Sequence, residues 1–162
     1  MKKLLFLAVL AALFISCEKE DVNHTGDPTG TLYGAWALDT KTTVYQSGGE
    51  EKSETVDYSK SHFFLLLSRT SLALAKKGSL SALDLKDVDV DGVFYTYDSG
   101  KRKIRFKDPV WLSDEFLSYN MILDGTFDVE ELTDKALVLS QYQSLFKTKT
   151  IYTYHRHFTD NN

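Results

Sequence analysis

The chain has 162 residues, a formal charge of −4 and a single cysteine. One domain of ordinary size accommodates that length, no intrachain disulfide is available, and a mildly acidic chain lacks the basic patch that nucleic acid requires. Ten Phe, nine Tyr and two Trp set against two Pro favour strands over helices.

Met1-Lys2-Lys3 is a short basic start, and Leu4 to Ile15 is an unbroken apolar run. That run falls short of the ~20 apolar residues a membrane-crossing helix needs. A basic start, a short apolar stretch and a small residue at the cut site are the marks of a secretory signal. Here Ser16 is followed directly by Cys17, with Phe14 where such signals prefer Leu. The arrangement resembles a bacterial lipoprotein signal, which implies cleavage before Cys17 and acylation of its thiol with palmitate-like chains. The alternatives are an ordinary secretory signal with a chance cysteine, or an uncleaved anchor. Lys19-Glu20-Asp21 resembles the acidic tag that directs lipoproteins of Bacteroidetes-type bacteria to the outer cell surface. On this reading residues 1–16 are a signal peptide, 17–31 a lipidated flexible tether, 32–158 the folded domain and 159–162 a tail. The tether is polar, with Gly26, Pro28 and Gly30, and its His24 reads as a solvated side chain.

The domain opens at Gly34-Ala35-Trp36. Period-two patterning puts Trp36, Leu38, Thr40, Thr42 and Val44 on one face of a first strand, with Asp39, Lys41 and Thr43 on the other. A Gly48-Gly49 turn follows, then a ragged strand around Thr55 to Tyr58. Residues 62–67 are continuously apolar and short, hence a strand. Residues 71–77 suit a short helix or a strand, and 80–91 remain open. Val93, Tyr95 and Tyr97 alternate, Asp98 to Lys101 turn, and Ile104 and Phe106 alternate again, which makes a hairpin. Asp108-Pro109 ends it, and residues 110–115 read as a connection. Leu117, Tyr119, Met121, Leu123, Phe127 and Val129 then share one face, with Gly125 in register as a bend. Residues 132–135 turn into a strand over 136–142, and a last strand covers 150–158. Seven to nine short strands with turns between them predict an all-β sandwich or barrel.

Gly34-x-Trp36 resembles the Gly-x-Trp signature that opens the first strand of lipocalin-type barrels, in which an Arg of the closing strand lies over the Trp ring. Arg156 sits where that Arg is expected. The whole looks like the lipocalin-like lipoproteins of unknown function found in Bacteroidetes, and the resemblance implies an up-and-down antiparallel barrel of about eight strands. It also implies that Gly34, Trp36 and Arg156 close the barrel base.

The chemistry searched for is sparse. Asp87, Asp89, Asp91 and Asp98 resemble the acids of an EF-hand calcium loop. The twelfth position is Asp where Glu is usual, however, and no flanking helices are evident, so solvated acids entering a turn are the plainer reading. His155 and His157 are two apart on one strand, with His62 the other histidine of the domain. A zinc catalytic site wants three protein ligands. No Gly-x-Ser-x-Gly elbow, phosphate loop or dinucleotide fingerprint occurs. The adjacent acids Asp114-Glu115 and Glu130-Glu131 would point apart on an extended chain.

The expectation is therefore a non-enzymatic, cofactor-free lipoprotein of the outer membrane, held by its lipid anchor. Its calyx would take a small apolar or amphipathic ligand, lined by Tyr95, Tyr97, Tyr119, Met121, Phe127, Tyr152 and Tyr154. The alternative is a packed barrel with no ligand, which meets an envelope protein partner through its outer surface.

Overall fold

The computed structural model describes Asp27 and residues 29–61, 63–78, 92–113 and 120–157. The described residues form nine strands: β1 (Gly34–Ser47), β2 (Glu50–Asp57), β3 (Phe63–Leu67), β4 (Leu72–Lys77), β5 (Val93–Asp98), β6 (Lys103–Ser113), β7 (Asn120–Leu132), β8 (Ala136–Gln143) and β9 (Thr148–His157). Every neighbouring pair is antiparallel, from β1–β3 round to β8–β9. β9 returns to β1 along Ala35↔His157 to Val44↔Lys149 and closes the sheet. The result is an all-β, up-and-down barrel of eight strands, β1 and β3–β9, lipocalin-like in layout. Closure removes the free edges that an open sheet would expose. β2 adds to the wall above β3, on the same edge of β1: Thr40↔Asp57 to Ser47↔Glu50 for β2, and Gly34↔Leu67 to Ala37↔Phe64 for β3.

Alternation delivers the core. Trp36 and Leu38, then Phe63, Leu65 and Leu67, then Val93, Tyr95 and Tyr97 face inward, joined by Ile104, Phe106, Leu123, Phe127, Val129, Leu137, Leu139, Tyr152 and Tyr154 in one buried cluster. The rings run from Tyr95, tilted at 45° to Phe106, and then edge to face through Phe127 to Tyr152, with centroids 5.8–6.4 Å apart. Such contacts add about 0.5–1.5 kcal/mol each beyond the area they bury. A smaller apolar group, Ala37 and Phe64 with Ala35 and Leu66, lies on the opposite face of the same strands.

One open reading is decided and three expectations are corrected by this arrangement. Of the helix or strand that residues 71–77 suit, Leu72–Lys77 forms a strand, because β3 offers it an open ladder partner. Asp108-Pro109 does not end β6, and residues 110–113 are strand rather than connection. The ladder slips between Phe106↔Gly125 and Val110↔Leu123, so Pro109 occupies a bulge, where its missing N–H leaves no pair unmade. The tether does not run to Thr31 unattached. Asp27 is only 2% exposed, and its carboxylate accepts hydrogen bonds from Thr29 N, Thr29 Oγ1 and Leu32 N.

The third correction concerns β1. Its ladder with β9 passes from Leu38↔Tyr154 to Thr40↔Thr153, which leaves Asp39 as an extra residue. A single inserted residue reverses the facing of everything beyond it. Lys41, not Thr40 or Thr42, is therefore on the inner side, opposite the core residue Tyr152.

Candidate functional site at the barrel base and interior

The base is the end that holds Gly34, the β3–β4 turn, the β5–β6 turn and the β7–β8 turn. Leu32 and Trp36 are both fully buried there. The indole Nε1 donates to Leu32 O at 2.9 Å. The Arg156 guanidinium lies over the Trp36 ring, its carbon 4.1 Å from the centroid. Its Nε donates to Asp134 O at 2.8 Å and one terminal nitrogen to Tyr33 O at 2.6 Å, while the other donates to Thr31 O. One side chain thus links the chain entering β1, the β7–β8 turn and β9. Gly34 has φ +131°, and a Cβ there would stand 2.7 Å from an Arg156 nitrogen. Backbone conformation and space both demand glycine. Gly34, Trp36 and Arg156, singled out in the sequence, are thereby brought together.

The expected lining residues fare differently. Tyr95, Tyr97, Phe127, Tyr152 and Tyr154 all face inward, and all lie in the packed cluster. The Tyr95 hydroxyl donates to Ser68 O at 2.8 Å. The Tyr154 hydroxyl is buried and has no hydrogen-bond partner among the described residues. Burial, followed by the neighbouring Tyr152, pushes its phenol well above the ordinary value. Burial likewise raises Tyr152 to about 12, with a smaller contribution from Tyr58. Tyr97 is raised by burial and then by the Asp27 charge. Met121 pairs with Leu112 in the β6–β7 ladder, its side chain outside the described residues. Tyr119, Cys17 and His62 also fall outside them.

Above this aromatic floor the inner wall becomes polar and wet. Lys41 faces inward with its Nζ 5.8 Å from the Tyr152 ring centroid. Directly opposite residues share a face, so Thr43 with Thr150, and Val56 with Lys41, belong to the same inner side. Val56 is 43% exposed despite that facing. Every residue of β2 is exposed. Lys41 and Tyr58 were missed in the sequence, because nothing in a run of alternating Thr and Lys announces a bulge.

The acids and histidines do not converge. Asp87, Asp89 and Asp91 are outside the described residues, whereas Asp98 closes the β5–β6 turn. It accepts from Lys101 N at 2.9 Å, the main reason its carboxyl lies below the usual range. Val93 to Asp98 is an antiparallel strand, which is not the loop an EF-hand needs. His155 Nδ1 is 2.7 Å from Asp39 Oδ1, and His157 packs edge-on against Phe64. Among the described residues no group of three His, Cys, Asp or Glu is placed to hold a metal. A surface groove of ≈ 280 Å³ lies beside Lys101, Arg102, Asp128, Val129 and Glu130. Its acids are already engaged, Asp128 by Lys103 at 2.5 Å and Glu130 by Lys149 at 2.9 Å and Ser140 at 2.7 Å.

The fold and the base define a class: a closed eight-stranded antiparallel barrel, plugged at one end by a Trp–Arg stack. Comparison with protein-family models, curated proteins and solved structures finds no match to the chain.

Proposed function

We propose that the protein is a lipid-anchored lipoprotein of the outer membrane, displayed at the cell surface, whose lipocalin-like barrel takes a small apolar or amphipathic ligand. The anchor rests on Cys17 directly after the apolar stretch 4–15, and surface display on Lys19-Glu20-Asp21. More than one acyl chain on Cys17 gives stable attachment where one gives only marginal binding. The single observation that carries the ligand reading is the asymmetry of the barrel. Its base is sealed by Leu32, Trp36 and Arg156, while inward-facing Val56 meets solvent toward the other end. Barrels of eight strands hold either side chains or one small ligand, and a sealed floor under a wet wall favours the second.

Native mass spectrometry of the protein taken from its host's membrane in mild detergent tests this reading. The expected spectrum shows a chain beginning at acylated Cys17 and carrying a reproducible adduct that denaturation removes. A chain beginning at Cys17 without an adduct keeps the anchor and removes the carrier role. The second reading, a module that binds an envelope protein partner through its outside, would then stand on the β8–β9 turn. Leu145 and Phe146 project there, 85% and 69% exposed.

A further inference from the structure

The β8–β9 hairpin ends in a turn whose residues the fold does not require. Lys147 N donates to Ser144 O at 3.3 Å, so Leu145 and Phe146 hold the two central positions of a β-turn. Asn, Asp, Gly and Pro suit such positions, because their backbones or side chains stabilise the bend. Leu and Phe do neither, and both project into solvent. Lys147 follows with φ +50°, in the left-handed region that Gly or Asn enters more readily. Leu139 and Tyr152 face each other inside the barrel, which puts Tyr142, opposite Lys149, on the outer side. Tyr142 is exposed there, a third large side chain with no place in the core. Apolar groups gathered on one projecting tip mark a contact with something outside the barrel.

Shape, composition and reach select a lipid surface. The tip is convex, so a protein would need a matching groove, whereas a bilayer needs none. Its residues are ordered by depth: Leu145 and Phe146 outermost, then Lys147, then Tyr142 and Lys149 on the shoulder. Apolar side chains suit the acyl region, and Tyr and Lys suit the head-group level. From Lys135 to Thr159 the sequence holds no Asp or Glu, although the chain as a whole is acidic. The acids near this end stand on its flanks. Glu130 holds Lys149 at 2.9 Å, and Asp124 on β7 and Glu50 and Glu51 at the β1–β2 turn are exposed. Cys17 lies ten residues before Asp27, which is fastened at the base, and that length reaches at most about 35 Å. β9 runs ten residues from the turn to the base, about 34 Å along the strand and ~25 Å along the axis of a tilted barrel. A barrel resting on its β8–β9 side therefore sets the tip on the leaflet that would hold Cys17.

We propose that the β8–β9 turn is a membrane-contact wedge, with Leu145 and Phe146 entering the bilayer and Tyr142 and Lys147 at the level of its head groups. This rests on the lipid-anchor part of the reading above and extends it. Anchor and wedge hold the barrel at opposite ends, so the barrel lies along the membrane instead of standing away from it. Burial of the two apolar side chains drives the contact. The flanking acids offset the lysines, so anionic lipid is not required.

The test uses the full lipidated chain in phosphatidylcholine vesicles, labelled with a nitrobenzoxadiazole dye on Ser144→Cys or on Thr96→Cys. Ser144 is in the turn, and Thr96 is exposed on β5, across the barrel from β8 and β9. Acylation of Cys17 leaves the introduced thiol as the reactive one. Lipid carrying a nitroxide high on its acyl chain quenches a dye that reaches the bilayer. The Ser144 label is expected to lose most of its emission and the Thr96 label to keep it. Leu145→Ser with Phe146→Ser, both at exposed positions, should abolish the quenching, and Phe146→Trp should retain it. Quenching absent at Ser144, equal at the two labels, kept by the double serine variant, or seen only with phosphatidylglycerol overturns the wedge. Flotation of the same vesicles reads the anchor separately. A chain that floats without quenching at Ser144 loses the wedge and keeps the anchor, and a chain that stays behind loses both. A photo-crosslinker on Ser144→Cys in host cells should join lipid, and a protein adduct in its place overturns the wedge in favour of an envelope partner.

Discussion

Gly34 and Arg156 make each other necessary. The glycine's φ of +131° belongs to a region that side chains avoid, and a Cβ would meet an Arg156 nitrogen at 2.7 Å. That nitrogen cannot swing aside cheaply, because the guanidinium is held by the carbonyls of Thr31, Tyr33 and Asp134. Gly34→Ala should therefore cost about 1–3 kcal/mol in denaturant unfolding, well beyond a propensity change. Arg156→Lys keeps the charge but loses the planar fork and the stacking on Trp36, with an expected loss of about 2 kcal/mol by the same measurement. Tyrosines in one core separate by what their hydroxyls do. Tyr95 donates to Ser68 O, so Tyr95→Phe should destabilise by about 1 kcal/mol. Tyr154 has no partner among the described residues, so Tyr154→Phe should be neutral or stabilising by up to about 1 kcal/mol in the ligand-free protein. An equal loss in both variants would mean that Tyr154 has a bond of its own.

Bulges decide what each strand presents. The extra residue at Asp39 brings Lys41 inward, the slip around Pro109 carries β6 on to Ser113, and a third irregularity at Glu130 separates Val129↔Leu139 from Glu131↔Val138. This last bulge is bound to the β5–β6 turn. Arg102 donates through Nε to Val129 O at 3.0 Å and through a terminal nitrogen to Glu130 O at 2.8 Å, while its own carbonyl accepts from Val129 N. Arg102 does this with φ +52°, a conformation costing a non-glycine residue about 1–2 kcal/mol. Arg102→Ala should thus lose the two bonds and keep the strain, whereas Arg102→Gly loses the bonds and relieves it. Thermal unfolding should rank wild type above Gly above Ala, and a Gly variant below Ala would contradict this account. Strand existence was legible in the sequence wherever apolar and polar residues alternated without interruption, as in Val93 to Tyr97 and Leu123 to Val129. It was illegible at the Asp39 bulge, since that inserted residue obeys the chemistry of its neighbours and leaves no compositional trace.

For the whole barrel, the buried phenols set an alkaline limit. Tyr152 is raised from 10.0 to about 12 by burial, so the folded state keeps a proton that the unfolded chain releases. Its contribution is complete below pH 10 and falls as pH rises to about 12, beyond which it is spent. Two pKa units correspond to about 3 kcal/mol. Tyr154, raised in the same direction, adds to the fall. Denaturant midpoints measured from pH 9 to 12 should decline over that window, and Tyr152→Phe should flatten the decline. Much of the candidate site was legible because it rests on residue types with few uses: a Gly-x-Trp at a strand start and an Arg in the last strand. The polar inner wall was not legible, because Lys41 differs from the outward lysines only in its facing, and facing depends on one residue of register.

The sequence by itself determined the all-β class, the succession of strands and turns, and the inward aromatic set, because alternation and turn chemistry are local and act within a few residues. Only the tertiary structure decided that the sheet closes between β1 and β9, that three carbonyls converge on Arg156, that Tyr154 is left without a partner and that Lys41 looks inward. Each of these depends on pairing between segments as far apart as Lys41 and Tyr152, where register and burial are set by the whole barrel and not by any stretch of it.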